Sequence, residues 1–406
     1  DLEMCKVDTP VGVSEFQGMY GPFSFSEKLF QKIWRHGNFD VASARIGGVP
    51  LRVLHPGKWN LLGGPDFKGA RLLLGTEERV GDVELHLHAR DWDAHRHAAD
   101  PAYARVVLHV VLFPPPAAHV TRGADGREIP TLALLPLLRH DLEEYAAEEA
   151  VARLADRPET FVFGELAALD PTALAARIRL EAGQRWRQKL GFARRRVEVL
   201  GWTGACHHAA LEILGFRFNR APMLRVASAF PAEAWAAGAV DLEAVFAGGR
   251  EHWSLQGVRP ANHPRVRLGQ YAEWMRRVPA WPATLERLAA ALPSAMAAAG
   301  IATPDFRRRH GLAALRRGWN EAVCGGAVAG TRFDNLCCDG FLPLLAARGG
   351  RDHAELWWHW FAGDVPPAMR AALRDLGLAA PPLAPLCHGH AQGLLGWMIR
   401  RTAGAG

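Results

Sequence analysis

Within residues 80–89, VGDVELHLHA, polar and apolar side chains alternate from Asp82 onward. Successive side chains of an extended chain point to opposite faces, so Val83, Leu85 and Leu87 share one face and Asp82, Glu84, His86 and His88 share the other. This order makes two faces only in a β-strand, which commits the neighbourhood to a sheet. The polar face carries four groups that can hold a metal ion or move a proton, so it is either solvated or used for chemistry. The flanking segments supply partners for the strand. ARLLLG (70–75) reads as a central strand, with TEER as the turn between the two, and SARIGGVPLRVLHP (43–56) as a strand pair around Gly-Gly. ARVVLHVVLF (104–113) reads as a buried strand, DWDAHRHAADPAYA as a short helix or loop, and the GADG segment as a hairpin. Ahead of them, FSFSEKLFQKIWRH (23–36) sets Leu29, Phe30, Ile33 and Trp34 at helical spacing, with Ser26 as N-cap and GNFD as the stop.

From residue 137 onward the pattern is helical, rich in Ala, Leu and Arg. Pro279, Pro282, Pro293 and Pro304 mark helix ends. The expected fold class is therefore α+β. An α/β core over 1–156, a mixed sheet flanked by helices, precedes a mostly α-helical region over 157–406, with DRPETFVFGEL (156–166) at the boundary. Cys206-His207-His208 reads as buried helix, and WWHWFAGDVP (357–366) as core aromatic packing.

No stretch approaches the ~18 consecutive apolar residues of a membrane span, and the first residues show no basic-then-apolar leader. Six cysteines without a regular spacing are expected as free thiols in a reducing, cytoplasmic setting. The net charge of +6 conceals an asymmetry, because residues 171–320 hold 23 Lys+Arg against 10 Asp+Glu. Nearly all of these cations are Arg, whose rigid fork suits phosphate, although GC-rich coding also raises Arg. Two segments are candidates for a nucleic-acid backbone. RIRLEAGQRWRQKLGFARRR (177–196) is a basic helix on which Arg185, Lys189 and Arg196 share a rough face. VRPANHPRVRL (258–268) offers Arg259, Asn262, His263, Arg265 and Arg267 in a loop entering a helix, whose first turn could hold a phosphate. A surface paired within the molecule is the alternative for both.

Glu84 and His86, two apart, point the same way, and Asp66 opens the preceding strand. If the strands splay at that end, the two carboxylates and the Leu85 backbone carbonyl make a hard oxygen site of the kind Mg²⁺ or Mn²⁺ accepts. His86 could then orient a water or take its proton.

Pro65-Asp66 followed by Glu84-Leu85-His86, behind a helix and within an α-β-β-β-α-β order, resembles the PD-(D/E)XK nuclease superfamily. His86 stands where that pattern has Lys. The resemblance implies a restriction-endonuclease-like core, metal ligands at Asp66, Glu84 and Leu85, catalytic roles for Asp66, Glu84 and His86, and an added carboxylate from Glu27. It implies a metal-dependent nuclease cleaving phosphodiester bonds, of DNA sooner than RNA. The runs GGPDFKGARLLLG, GDVELHLHARDWDAHRHAADPAYARVVLHVV and GVRPANHPRVRLGQYAEW also look like an uncharacterised bacterial family known only as a domain of unknown function. Two other readings stay open. One is a non-catalytic nucleic-acid-binding protein on an inactivated nuclease core. The other is a zinc hydrolase in which several of His86, His88, His95, His97 and His109 converge. Of these, His109 lies in an apolar strand and reads as a hydrogen-bonded core histidine.

Overall fold

The computed structural model describes residues 27–60, 63–138, 142–156, 164–250, 252–255, 258–292, 300–379 and 385–403. Ser26, Cys5, Pro293 and most of the 156–166 boundary lie outside the described residues. The chain divides into two compact units between Tyr145 and Ala146.

The first unit opens with helix α1 (Glu27–His36), which buries Leu29, Phe30, Ile33 and Trp34, the residues whose spacing predicts it. Strands β1 (Arg45–Ile46), β2 (Val49–His55), β3 (Lys58–Trp59), β4 (Phe67–Leu74) and β5 (Glu77–His86) follow. After a short helix α2 (Asp91–Ala94) come β6 (Val106–Val111), β7 (Thr121–Arg122), β8 (Glu128–Ile129) and β9 (Thr131–Ala133). The main sheet has seven strands in the order β1-β2-β4-β5-β6-β9, with β3 beside β4, and β7 pairs with β8 separately. β1, β2, β4 and β5 are antiparallel neighbours, while β6 runs parallel to β5 and β9 parallel to β6. The sheet is therefore mixed, as expected.

Two turns explain the register. Gly47 and Gly48 adopt φ of +56° and +83°, which only glycine does freely, and they join β1 to β2. Gly75, at φ +61°, lets β4 and β5 join so tightly that Leu74 pairs with Glu77. The turn is thus shorter than TEER, and Glu77, Glu78 and Arg79 belong to β5. Gly81 has another reason to lack a side chain: a Cβ there would lie 2.4 Å from Val107 Cγ1 and 2.5 Å from the Arg105 carbonyl.

Val83 and Leu85 are buried, as their alternation requires, and each such side chain contributes about 2 kcal/mol by leaving water. The opposite face is buried too: Asp82, Glu84 and His86 are 7%, 5% and 1% exposed. The polar face of β5 is not solvated.

The second unit is helical. Its longest run, Pro171–Leu214, starts at an Asp170 N-cap and is broken at Gly201, where φ is 68° and ψ 177°. Cys206, His207 and His208 are buried in it, and Trp357, Trp358 and Trp360 are buried core aromatics. Pro279 lies between the helices Pro264–Arg277 and Trp281–Ala289, and Pro282 and Pro304 sit in first turns. Among the described residues, Cys206, Cys324, Cys337, Cys338 and Cys387 are free and buried, and no helix is long and apolar enough to cross a membrane.

Candidate active site

Asp66 sits immediately before β4, beyond the last antiparallel pair, Phe67 with Val83. Past that pair β5 runs on without β4, and side chains take over the backbone bonds. The Leu85 N–H donates to Asp66 Oδ2 at 3.0 Å, and the Asp66 N–H donates to Glu84 Oε2 at 3.1 Å. Asp66 Oδ1 accepts from the Gln31 amide at 2.6 Å, and Gln31 in turn accepts from the Trp59 indole at 3.0 Å. Helix α1 and strand β3 therefore fix the orientation of Asp66. The two carboxylates are thus linked through backbone N–H groups, each side chain bonded to the other strand.

The other oxygen of Glu84 faces nitrogen. Glu84 Oε1 lies 3.5 Å from His86 Nε2 and 3.5 Å from His97 Nε2. His86 Nε2 lies 3.2 Å from His95 Nδ1 and 3.2 Å from His97 Nε2. One donor atom from each of these three imidazoles falls within a single 4.8 Å span. His95 and His97 arrive from the turn after α2. The residue between them, Arg96, is left-handed at φ 57°, one of two non-glycine residues with positive φ among those described. That twist brings two histidines only two residues apart onto one point. His97 is held from behind by Tyr103, stacked at 3.9 Å between ring centroids, and by the edge of Trp92 at 5.3 Å.

Burial sets the charges. It raises both Asp66 and Glu84 above the ordinary carboxylate range, and the repulsion of Asp66 raises Glu84 further. Glu27 is raised by burial, moderated by His95, so this helix carboxyl stands within electrostatic reach of the cluster. His86 is pushed down to about 3 by burial and then by His97 and His95, and His97 is lowered by burial and then by His95. His86 is thus neutral at ordinary pH, and its contact with Glu84 is not an ion pair.

His109 is a hydrogen-bonded core histidine, fully buried and pushed down to about 3 by burial and then by His86. Its role is orientation. His86 Nδ1 meets His109 Nε2 at 2.9 Å, His109 Nδ1 meets Thr121 Oγ1 at 2.9 Å, and Thr121 Oγ1 meets Thr131 Oγ1 at 3.1 Å. His88 lies apart: its ring stacks on Phe113, and its N–H donates to Asp91. Asp82 also lies apart, accepting from the Gly69 N–H at 3.0 Å.

The Arg-rich segments come out differently from their expectation. Arg185, Lys189 and Arg196 do share a face, but it points inward. Arg185 is buried and donates to Gln392; Lys189 donates to Asp339 at 2.8 Å; Arg196 is buried against Glu212 and over the Phe192 ring. Arg267 is buried too and donates to Gln270 and Asn262. His263 caps the helix Pro264–Arg277, accepting from the Arg265 N–H at 3.3 Å. These side chains are held by partners within the unit because a buried cation without one is costly. Arg259 is exposed, and Arg265 is half exposed, paired with Glu243 and lying over Phe246.

Gln31, Trp59, Tyr103 and Thr121 are parts of the site that the sequence pattern did not single out. The signals for the imidazole cluster were His86 at its strand spacing and the run His95-Arg96-His97.

No curated protein and no solved structure matches the chain. A family model does match, over residues 27–250, which takes in every element of the site from Glu27 to Thr131 but stops short of the GVRPANHPRVRL segment. As that match spans more than half of the 406 residues, the chain belongs to the family described as Protein of unknown function (DUF2851).

Proposed function

We propose that the sheet unit is a divalent-metal-dependent hydrolase of phosphodiester bonds in nucleic acid, DNA sooner than RNA. The observation that carries this reading is the meeting of Asp66, Glu84 and His86 where β4 and β5 part, with Glu27 nearby. Their setting supports it: a helix, an antiparallel run of three strands (β2, β4, β5), a short helix and a parallel strand follow one another in that order. A bound ion would polarise a phosphoryl oxygen and lower the pKa of an attacking water. The donors favour Mn²⁺ or Zn²⁺ over Mg²⁺, because imidazole nitrogens crowd the point that an all-oxygen site would need.

The chain's own groups have separable tasks in this reading. Asp66, raised by burial and fixed by Gln31 and Leu85, is placed to take a proton near neutral pH. Neutral His86 holds the ion, with Glu84 beside it. In the helical unit, the exposed guanidinium groups of Arg259 and Arg265 offer phosphate contacts, which the buried Arg185, Arg196 and Arg267 do not. The test is cleavage of labelled single- and double-stranded DNA and RNA by metal-stripped protein supplied with Mg²⁺, Mn²⁺ or Zn²⁺ in turn. Cleavage should require added metal and vanish in Asp66→Asn and Glu84→Gln. Activity that survives both substitutions, or none with any ion, ends this reading.

A further inference from the structure

We propose that His86, His95 and His97 supply three ligands of a tetrahedral site for one borderline divalent cation, for which Zn²⁺ is the best match, with the fourth position open beside Glu84. The spacing argues first. Four ligands about 2.0–2.1 Å from a tetrahedral ion stand about 3.3–3.4 Å from one another. His86 Nε2 lies 3.2 Å from His95 Nδ1 and 3.2 Å from His97 Nε2, and the three nitrogens all lie within 4.8 Å of one another, with Glu84 Oε1 3.5 Å from His86 and from His97. Without an ion, one nitrogen takes both ring contacts: His86 Nε2 faces His95 Nδ1 and His97 Nε2 at 3.2 Å each. Its single lone pair accepts fully from only one N–H. A cation at that centre takes a lone pair from all three nitrogens at once.

The tautomer argues second. Thr131 Oγ1 donates to the Ile129 carbonyl at 3.5 Å, and a carbonyl can only accept. In the proton arrangement this bond favours, Thr131 accepts from Thr121, Thr121 accepts from His109 Nδ1–H, and His109 Nε2 accepts from His86 Nδ1–H. That arrangement puts the hydrogen of His86 on the outer nitrogen and leaves Nε2 to present a bare lone pair to the cluster. This is the arrangement that a ligating histidine needs. The left-handed Arg96 argues third: it holds an unfavourable conformation whose visible effect is to aim His95 and His97 together. Asp66 stays outside the set because Gln31 and Leu85 engage its oxygens.

This site deepens the hydrolase proposed above and rests on it for what the ion does, whereas binding is measured without substrate. Full-length protein stripped of metal is titrated with Zn²⁺ against a chromophoric chelator, and with Mn²⁺ and Mg²⁺ in parallel. One Zn²⁺ per chain is expected, with Mg²⁺ unable to displace it. Co²⁺ in its place should give the intense visible bands of four-coordinate cobalt. His95→Ala, at an exposed position, and His97→Ala should each weaken Zn²⁺ by more than the roughly 10–100-fold that loss of an outer hydrogen-bond partner costs. His88→Ala should change nothing, and circular dichroism checks that each variant is folded. Failure to bind stoichiometric Zn²⁺, or equal binding by folded His95→Ala and His97→Ala, overturns the site. Zn²⁺ bound without cleavage removes the hydrolase and keeps the site. Mg²⁺-dependent cleavage indifferent to both histidine substitutions removes the site and keeps the hydrolase.

Discussion

Asp66 and Glu84 are locked through the backbone: the Asp66 N–H donates to Glu84 Oε2, and the residue after Glu84 donates to Asp66 Oδ2. Two buried carboxyls in this geometry keep protons that the unfolded chain releases. For Glu84 the folded value is pushed up to about 9, from an ordinary 4.5. Between those values the folded state binds more protons, so its stability falls as pH rises. In metal-free protein, Glu84→Gln removes that penalty, and its amide can donate toward His86 Nε2. Chemical denaturation should show the variant equal to the parent below pH 4.5. A gap opens as pH rises, reaching about 1–3 kcal/mol in its favour by pH 8. A parent more stable than the variant at pH 8 would refute the account of Glu84. His86 and His109 gain protons in acid in both proteins, so their effect cancels in the difference.

His109 bonds to the cluster through His86 Nδ1, and in the proton arrangement described above it leaves His86 Nε2 bare. Thr121→Val breaks the hydrogen-bond chain with nearly constant volume. It is expected to weaken Zn²⁺ binding roughly 10-fold or more while leaving the far-ultraviolet spectrum unchanged. Chelator competition measures the effect, and unchanged affinity would separate the chain from the site.

Arg96 should be improvable for stability. A non-glycine residue in the left-handed region costs about 1–2 kcal/mol, and glycine adopts it freely. Urea denaturation of metal-free Arg96→Gly should therefore show a gain of up to about 1 kcal/mol. No gain would mean that neighbouring contacts of the Arg96 side chain offset the backbone cost.

The Arg residues divide into two kinds. Arg196→Ala leaves Glu212 buried without its main partner and should cost about 3–5 kcal/mol of folding stability. Arg259→Ala and Arg265→Ala should leave stability within about 0.5 kcal/mol. If the protein binds nucleic acid there, they should lower its affinity and flatten its salt dependence. Denaturation and fluorescence anisotropy across a salt series read the two effects separately.

The elements of the sheet unit were legible because each has a local cause. The Gly47-Gly48 turn, the alternation of β5 and the 29-30-33-34 stripe of α1 all appear as expected. The start of β5 was misplaced because a tight turn needs only Gly75 and its neighbour, which frees Glu77–Arg79 for pairing. The burial of the β5 polar face was not legible, since alternation separates two faces without saying what covers them. The cover comes from the α2 region, and its decisive feature, the φ of Arg96, leaves no mark in the residue type. The inward turn of Arg185, Lys189 and Arg196 failed to show for a related reason. Helical spacing groups side chains, but the partners that draw them inward, Gln392, Asp339 and Glu212, stand up to 207 residues away.

The hydrogen-bond chain ending on the Ile129 carbonyl bears on how small this unit can be made. A fragment cut after β6 would retain Asp66, Glu84 and all three imidazoles of the cluster. It would lack Thr121, Thr131 and the carbonyl that together orient His86 through His109. The smallest segment that keeps this chain intact therefore extends through β9, a strand that holds none of the three imidazoles.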